Sequence, residues 1–399
     1  MSHQVAVVTP WYPSSQMPFR GAFVQAKVEA TAPGTSCVVY HCDSWVAQLS
    51  AQEDAAIGDA FRAILPSATR PSPTVGRAEL VTVPVPMPRA TPYGEQGRRA
   101  AEALKLALGG GPIPASVVHA HVGLLGGLPA LRNLSPDARL FVTEHASFLD
   151  QMLEEPAGRA GYDEVLGRCE AFFVVGDTLR DKITRAFPEH AAKVRTIVNP
   201  IDFAQTRAEP VKQLHRWIFV GGLTGNKGVD WLLEAFAICR RQEPALTLTM
   251  VGEGGLRRTL TDRAAELGVA DAVRFTGALP PVEAMRLMRE HDILVHPSRH
   301  ETFGVVIVEA IAAGMPVLVT RCGGPEQTLA GLEAAAGELI AVEDDSAAIV
   351  AGYERLRDRF PEGVDLELAR RTLAARFGYQ AAAEQHHQAW FGESAGRSD

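Results

Sequence analysis

Short apolar runs recur along the chain and alternate with longer stretches that have the spacing of amphipathic helices. In the first half, the runs begin with QVAVVTP at residues 4–10 and end with VRTIVN at residues 194–199. The second half carries six more, from RWIFVGG at residues 216–222 to GELIAV at residues 337–342. Strands that alternate with helices are typical of parallel sheets with helical crossovers, so the pattern predicts α/β architecture throughout.

The second half gives the clearer helical pattern, with predicted helices over residues 229–240, 256–267, 282–289 and 305–313. Because its apolar strands are nearly continuous, helices should cover both faces of their sheet. A polar, turn-rich segment at residues 199–216 separates the two halves. We therefore predict two doubly wound, Rossmann-like domains that face each other across a cleft, with boundaries at 1–203 and 204–376. Ligands of such sheets bind at the carboxyl ends of the strands.

The stretch RHETFGVVIVEA at residues 299–310 places Glu301 just before a predicted apolar helix and Glu309 inside it. The free N–H groups of that helix should lie near Phe303, Gly304 and Val305, where they and the helix dipole favour an anion. A carboxylate among apolar neighbours needs a partner, and a sugar diol can donate two hydrogen bonds to one. The alternative is that Glu309 faces solvent or pairs with an arginine.

A glycine-rich turn follows the strand RWIFV, and Lys227 stands in it just before the next predicted helix. The segment does not fit the Walker A pattern, but a lysine there can meet a phosphate as a point charge. The alternative is an ordinary exposed lysine. The Gly-x-Gly at residues 252–254 lacks the third glycine of a dinucleotide fingerprint, which argues against a nicotinamide dehydrogenase.

The first half offers Gly21, before a predicted helix, and His119, His121 and His145, at the ends of predicted strands. A lone histidine is more often structural than functional. No H-E-x-x-H or Asp-x-Asp pattern occurs, so the sequence predicts no metal site.

Net charge and cysteine content limit the functions and the compartment that can be expected. The formal net charge of −8 argues against non-specific nucleic-acid binding. Five cysteines without a C-x-x-C pair predict free thiols in a reducing compartment, although Cys37 and Cys42 are close enough in sequence to pair. We expect a cytoplasmic protein without a signal peptide, membrane span or stable membrane association. Residues 64–78 are predicted to form a surface loop, and the tail from Gly392 is predicted to be disordered.

Several motifs together resemble the retaining glycosyltransferases of family 4. ETFGVVIVE resembles their E-x7-E motif, and VGGLTGNKGVDWLLEAFA, LTMVGEGG, VRFTGALP and TIVNPID stand in the expected order. RGAFV, HAH and TEHAS resemble the family more loosely. The resemblance implies the GT-B fold, in which the last helix, here within residues 377–399, often returns to the N-terminal domain.

The resemblance also implies roles for individual residues. Glu309 would grip the ribose of a nucleotide-sugar donor, and Glu301 and His145 would approach the donor sugar. The diphosphate would be held by Lys227, the Gly21 loop and the amides of Phe303, Gly304 and Val305, and Leu279 would border the base. Many relatives carry an arginine where this chain has Gly222, so that diphosphate contact is in doubt, and Arg299 or Arg321 would have to substitute for it.

The resulting prediction is a metal-independent, retaining glycosyltransferase that uses no cofactor besides its nucleotide-diphosphate sugar. A soluble small-molecule or natural-product acceptor is favoured, and polysaccharide or lipid-linked glycan assembly is the alternative. A sugar-nucleotide epimerase and a non-catalytic sugar-nucleotide-binding subunit remain less favoured alternatives. The Ala- and Arg-rich composition is typical of a bacterial source. The sequence leaves the oligomeric state open.

Overall fold

The computed structural model of the protein describes residues 3–14, 17–47 and 69–392. The chain divides into two compact units. Unit 1 comprises Met1–Ser14, Arg20–Pro200 and Tyr379–Asp399, and unit 2 comprises Ser15–Phe19 and Ile201–Gly378. Residues 64–68 of the predicted surface loop and residues 393–399 of the predicted disordered tail lie outside the described residues.

Unit 1 is built on a sheet whose described strands run in the order β3-β4-β2-β1-β5-β6-β7-β8. All neighbouring strands pair in parallel, except that β3 pairs antiparallel with β4. The strands are β1 (His3–Thr9), β2 (Cys37–Ala47), β3 (Ser72–Pro73), β4 (Glu79–Pro88), β5 (Ala115–His121), β6 (Arg139–Glu144), β7 (Ala171–Val174) and β8 (Val194–Thr196).

Helices connect these strands, as parallel pairing requires. They are α1 (Ala22–Thr31), α2 (Tyr93–Ala107), α3 (Leu128–Arg132), α4 (Leu149–Glu154), α5 (Pro156–Arg168) and α6 (Asp177–Ala186). The last helix of the chain, α15 (Tyr379–Phe391), also belongs to unit 1. Two side-chain hydrogen bonds join it to α1: the Tyr379 hydroxyl donates to Glu29 Oε2 at 3.1 Å, and His387 Nε2 donates to the Thr31 carbonyl at 3.1 Å.

Unit 2 contains a fully parallel sheet in the order β11-β10-β9-β12-β13-β14 over its described strands. Its strands are β9 (Arg216–Val220), β10 (Thr247–Val251), β11 (Val273–Gly277), β12 (Ile293–His296), β13 (Val317–Thr320) and β14 (Gly337–Ile340). Every residue of β12 and β13 is buried, as expected for strands covered on both faces.

The four predicted helices of unit 2 begin and end close to the predicted positions, and four further helices follow them among the described residues. They are α7 (Val229–Gln242), α8 (Arg257–Glu266), α9 (Pro281–Arg289), α10 (Val305–Ala312), α11 (Gly324–Thr328), α12 (Glu333–Ala336), α13 (Ala347–Arg359) and α14 (Leu366–Phe377). The strand order reverses between β9 and β12 in unit 2, and between β1 and β5 in unit 1. The crevice at such a reversal is where open α/β sheets bind their ligands.

The structure adds one strand that the sequence pattern does not predict. β3 lies inside the segment predicted as a loop, where it pairs with the beginning of β4. Two residues are too few to show a period-2 pattern, and one of them is a proline, which is tolerated at a sheet edge. The five cysteines are all free, as predicted, and Cys37 and Cys42 are buried without pairing.

Candidate functional site

Glu301 lies in the loop after β12, at the point where the strand order of unit 2 reverses. Backbone hydrogen bonds fix this loop to the segment after β13. The Glu301 N–H donates to the Cys322 carbonyl at 3.3 Å, and the Gly324 N–H donates to the Glu301 carbonyl at 2.8 Å. The backbone on either side of the Glu301 side chain is therefore held by a neighbouring strand exit.

The Glu301 carboxylate is the centre of a charged cluster. Its Oε1 accepts hydrogen bonds from Lys227 Nζ at 2.5 Å and from His296 Nε2 at 2.9 Å. Burial alone would raise the pKa of Glu301, but the hydrogen bond from His296 and the charge of Lys227 outweigh it and lower the pKa to about 2. Glu301 is therefore ionised at neutral pH. No described residue donates a side-chain hydrogen bond to Oε2, which leaves that oxygen able to accept one from a ligand.

His296 completes this cluster and was not singled out in the sequence. Its ring stacks on Phe219 of β9, with centroids 5.2 Å apart and planes 9° apart, and it is only 2 % exposed. The ring is therefore fixed in one orientation, with Nε2 toward Glu301. The signal available in the sequence was a polar residue at the last position of an otherwise apolar strand, next to the strand exit.

The N-terminus of α10 provides free donors next to Glu301. Gly304 precedes the helix with φ 82° and ψ 50°, a left-handed conformation that favours glycine. No described backbone or side-chain atom accepts a hydrogen bond from the N–H groups of Phe303, Gly304, Val305 or Val306. Since these donors lie at the positive end of a helix dipole, they are groups that can bind an anion.

Glu309 lies one turn further into α10, and its side chain is partly buried. Among the described residues, none donates a hydrogen bond to its carboxylate and no arginine pairs with it, so the arginine-paired alternative does not hold. Burial raises the pKa of Glu309 to about 7. A partly buried carboxyl group that lacks a described protein partner is suited to accept hydrogen bonds from ligand hydroxyls.

Lys227 ends a short 3₁₀ turn, Gly225–Lys227, that leads into α7. Gly228 follows with φ 63°, and a Cβ added there would meet the Pro297 carbonyl oxygen at 2.1 Å. The turn therefore has to pack tightly against the exit of β12, which brings Lys227 to Glu301. Gly222, in contrast, is open: a Cβ added there would meet nothing closer than 3.9 Å.

The side chains of the other predicted donor-binding residues of unit 2 form no described hydrogen bond or ion pair with Glu301 or Lys227. Arg299 is exposed and forms an ion pair with Asp344. Leu279 is partly buried in the loop between β11 and α9. Arg321 is exposed directly after β13. The structure thus brings together Glu301, Lys227 and the start of α10, while Arg299 and Arg321 are not part of the contacts around Glu301.

His145 follows β6 in unit 1 and is held by two neighbouring rings. Its Nε2 is 3.0 Å from Nδ1 of His121, and its ring lies 4.4 Å from the ring of Phe23. Burial, and next the charge of Lys27, lower the pKa of His145 well below its usual value. His145 is therefore a neutral hydrogen-bonding group at neutral pH.

Glu144 anchors the two strand exits next to His145, and sequence reasoning missed it. Its fully buried carboxylate accepts from the N–H groups of Gly123 at 2.9 Å, His145 at 2.8 Å and Ala146 at 2.7 Å, and from the Tyr162 hydroxyl at 2.6 Å. Gly123 follows β5 and the other two N–H groups follow β6. One carboxylate therefore sets the backbone position of His145.

Gly21 has a demonstrable structural role. It precedes α1 with φ 73°, and an added Cβ would lie 2.3 Å from the Trp11 carbonyl oxygen. Only glycine fits there without moving the backbone, whether or not its N–H also meets a ligand. Around it, half-buried rings form a row of contacts from Trp11 to Phe23 and from Trp11 to Phe148.

Potential metal ligands cluster away from the predicted site residues. Among the described residues, Asp163, Glu189 and His190 bring three ligand atoms within 4.8 Å of one another. Asp163 and Glu189 are exposed, and exposed acidic groups commonly lie together without an ion. None of the predicted site residues belongs to this group.

Solved structures with similar folds define the architectural class. The structure of sucrose-phosphate synthase from Thermosynechococcus elongatus superposes with a TM-score of 0.72 at 18% identity, covering 97% of this chain and 98% of that chain. The structure of HepE from Anabaena in complex with UDP and glucose superposes with a TM-score of 0.67 at 16% identity, covering 97% and 99%. The fold is that of the GT-B glycosyltransferases, as expected.

Two family models match consecutive parts of the chain. The model of glycosyltransferase family 4 matches residues 56–205, and the model of glycosyl transferases group 1 matches residues 204–359. The chain belongs to this family of glycosyltransferases, which confirms the resemblance.

Curated relatives match over part of their length. Glycogen synthase of Mycobacterium tuberculosis is 31% identical over 222 residues, which is 55% of this chain and 53% of that protein. The matched region thus spans about half the length of this relative. Among the described residues, no helix combines the length and the apolar character that a membrane crossing requires.

Proposed function

We propose that the protein is a retaining glycosyltransferase that moves a sugar from a nucleotide-diphosphate donor to a hydroxyl group of a small acceptor. The observation that carries this proposal is the contact of Lys227 with Glu301 beside the unpaired N–H groups at the start of α10. Both features lie where the strand order of unit 2 reverses, which is the expected ligand position for this sheet.

The donor diphosphate would lie at the N-terminus of α10. When the bond between sugar and diphosphate breaks, negative charge develops on the leaving group. The Lys227 ammonium has three N–H donors, only one of which is needed for Glu301, so it can also meet a phosphate oxygen. Fixed donors directed at developing charge are usually the largest single term in catalysis.

Glu301 and Glu309 would have different partners on the donor. The ionised Glu301 already accepts two hydrogen bonds on Oε1, and its Oε2 can accept one from the donor sugar. Glu309 lies deeper in α10, where a ribose attached to the diphosphate could reach it. The absence of a described protein partner for its carboxylate supports this assignment, because two ribose hydroxyls would supply the missing donors.

The acceptor would bind at the carboxyl edge of the unit 1 sheet, next to His145. Four half-buried rings are in contact there. Phe23 and Phe148 both pack against Trp11, and Tyr93 stacks on Phe148 with ring centroids 5.6 Å apart. These rings and the neutral His145 offer no charge to an anionic acceptor. They favour an uncharged molecule with a flat face, in line with the small-molecule acceptor predicted from the sequence.

Retention of configuration and metal independence are part of the proposal. Retention rests on the family and on its E-x7-E motif, which here comprises Glu301 and Glu309. Metal independence is supported by Lys227 and the α10 amides, which can neutralise the leaving group themselves. Activity should therefore survive an excess of EDTA, measured as product formed per minute after extensive dialysis.

A panel of nucleotide sugars tests the function. A ligand that binds only the folded protein raises its apparent stability, so the preferred donor should raise the melting temperature the most. That donor should then be consumed in the presence of uncharged aromatic or polar acceptor alcohols, with NMR showing the same anomeric configuration in product and donor. Inverted product would contradict retention. Conversion of the donor sugar to an epimer without any acceptor would show an epimerase instead.

A further inference from the structure

A small cavity lies inside unit 1, between α1, α15 and the centre of the sheet. Its volume of about 10 Å³ is enough for roughly one water molecule. The residues around it are Val7, Lys27, Val28, Thr31, His119, His121, His386 and Trp390. It is separate from the donor site, which unit 2 carries.

Lys27 is the most unusual residue of this cavity. It is only 3 % exposed, and no atom of the described residues forms a hydrogen bond with its Nζ. The cavity lining contains no carboxylate that could balance its charge. A buried amino group without a partner is costly, so a ligand that accepts a hydrogen bond from it would stabilise the folded protein.

His386 presents the complementary atom. Its Nδ1 lies 2.7 Å from the Ala382 carbonyl oxygen, which can only accept, so Nδ1 carries the proton. In a neutral ring, Nε2 is then an acceptor, and this atom is buried without a partner. His386 is neutral at physiological pH, because burial and then the nearby Lys27 lower its pKa to about 3.

The other two histidines of the cavity already have partners. His119 Nδ1 accepts from Trp390 Nε1 at 3.0 Å, so its Nε2 carries the proton and donates to the Thr143 hydroxyl at 2.7 Å. His121 stacks on His119 with centroids 5.0 Å apart and bonds through Nδ1 to His145. The histidines thus form a row that starts at the cavity and ends at His145.

A ligand that fits must accept a hydrogen bond from Lys27 Nζ and donate one to His386 Nε2. The cavity has room for one heavy atom. A chloride ion would face the lone pair of His386 Nε2, which is repulsive. A water molecule satisfies both atoms. We propose that the cavity binds one water molecule, which accepts a hydrogen bond from Lys27 Nζ and donates one to His386 Nε2, and that Lys27 acts as a positioning residue for the histidine row that ends at His145.

The positioning role follows from charge. The titratable groups that line the cavity with Lys27 are His119 and His121 from β5 and His386 from α15, whereas β1 contributes only the apolar Val7. Burial lowers the pKa of His145 most, and the charge of Lys27 comes next. For His121, burial and then His145 lower the pKa more than Lys27 does. Because burial lowers the pKa of Lys27 itself to about 7, this charge is present mainly below neutral pH, where it helps to keep His145 neutral. The relevance of this to sugar transfer rests on the proposed function, but the binding of water does not.

The water site is tested by a high-resolution crystal structure of the full chain grown with bromide in place of chloride. The expected result is a single peak without anomalous signal, within hydrogen-bond distance of Lys27 Nζ and His386 Nε2. A bromide peak in the cavity would overturn the proposal, and so would an empty cavity or a Lys27 side chain turned out to solvent.

The positioning role is tested by histidine-selective 15N NMR on variants of Lys27. Lys27→Gln keeps a hydrogen-bond donor but removes the charge, so we expect the water to remain while His121 and His145 begin to protonate at higher pH. Lys27→Met should lose the water and show the same shift. Lys105→Met, at an exposed lysine of α2, is the matched control and should change neither.

These readouts separate the two proposals. Histidine titrations that are the same in Lys27→Gln, Lys27→Met and the parent would overturn the positioning role, whatever the enzyme does. If the titrations shift as expected but no nucleotide sugar is ever consumed, the positioning role stands and the proposed function fails.

Discussion

The carboxyl edges of the two sheets carry different chemistry. In unit 2, the reversal of strand order gathers an ionised carboxylate, an ammonium group and unpaired backbone donors around Glu301. In unit 1, the corresponding edge is built from rings, and burial keeps the pKa values of His121 and His145 well below normal. One edge is charged and the other is neutral.

This difference matches the two substrates of a sugar transfer. A diphosphate leaving group needs cations and N–H donors in a fixed geometry. A neutral acceptor and the sugar itself need hydrogen-bonding groups without net charge. Carboxylates also serve different ends in the two units. Glu144 accepts from three backbone N–H groups and the Tyr162 hydroxyl of unit 1, whereas Glu301 and Glu309 retain capacity for a ligand.

The largest effect on the transfer rate is expected from removing the ammonium group of Lys227. Lys227→Ala should lower the transfer rate by about 10²- to 10³-fold, the range for losing one donor to developing charge. Its effect on the free energy of unfolding should stay near 1 kcal/mol, because the ion pair with Glu301 is partly exposed. Steady-state kinetics and urea unfolding measure the two quantities. Lys212→Ala, at an exposed lysine of the same unit, should leave both unchanged.

Glu309→Gln should weaken donor binding by about 1–3 kcal/mol, the range for hydrogen bonds to a charged group. Isothermal titration calorimetry measures this affinity. Because burial raises the pKa of Glu309 to about 7, the parent should bind the donor more tightly at pH 8 than at pH 6, and the variant should lose this dependence. Equal affinities in parent and variant would remove Glu309 from the donor site.

The raised pKa of Glu309 also predicts how the stability of the folded protein depends on pH. The stability should fall as the pH rises, whereas donor binding should strengthen. The folded protein holds the Glu309 proton between the pKa of the unfolded chain, about 4.3, and about 7, so this group lowers the stability as the pH rises through that window. Glu309→Gln should therefore melt at a higher temperature than the parent at pH 8 and differ less at pH 4. A variant that is less stable at pH 8 would show that the carboxylate has a protein partner.

A smaller effect on the transfer rate is expected from replacing His145 in unit 1. His145→Gln should lower the transfer rate by about 3- to 10-fold, the value of one hydrogen bond between neutral groups, 0.5–1.5 kcal/mol. The donor dissociation constant should change less than the rate, since most of the proposed diphosphate contacts lie in unit 2. A loss as large as that of Lys227→Ala would mean that His145 carries charge or a proton during transfer.

The smallest expected effect is an increase in donor affinity. Gly222→Arg restores the arginine that many relatives carry, and the open space around Gly222 allows a side chain. An additional exposed cation near the diphosphate is worth about 0.2–1 kcal/mol, so donor affinity should rise by up to about fivefold and should fall back in high salt. An unchanged or weaker affinity would place the diphosphate away from the β9 turn.

Much of this architecture was predictable from local pattern. The strands of both sheets coincide with the apolar runs, and α10 begins at Val305 as the stretch ETFGVVIVE indicates, because a glycine and free donors mark a helix start. β3 was missed because two residues at a sheet edge carry no periodic signal.

The contacts within the sites were harder to predict. Glu301 and Lys227 could each be singled out from a strand exit, but their hydrogen bond depends on β9 and β12 being neighbours, which the order along the chain does not state. His296, Glu144 and Lys27 were missed for a related reason. Glu144 and the stacking of His296 on Phe219 depend on residues that are distant in sequence. Lys27 matters because no described residue forms a hydrogen bond with its Nζ.

The most direct test is a crystal structure of the protein with its preferred nucleotide sugar. We expect diphosphate oxygens at about 3 Å from the N–H groups of Val305 and Val306 and from Lys227 Nζ, with two ribose hydroxyls donating to Glu309. A donor bound elsewhere, with the α10 amides and Glu309 left to solvent, would contradict the account.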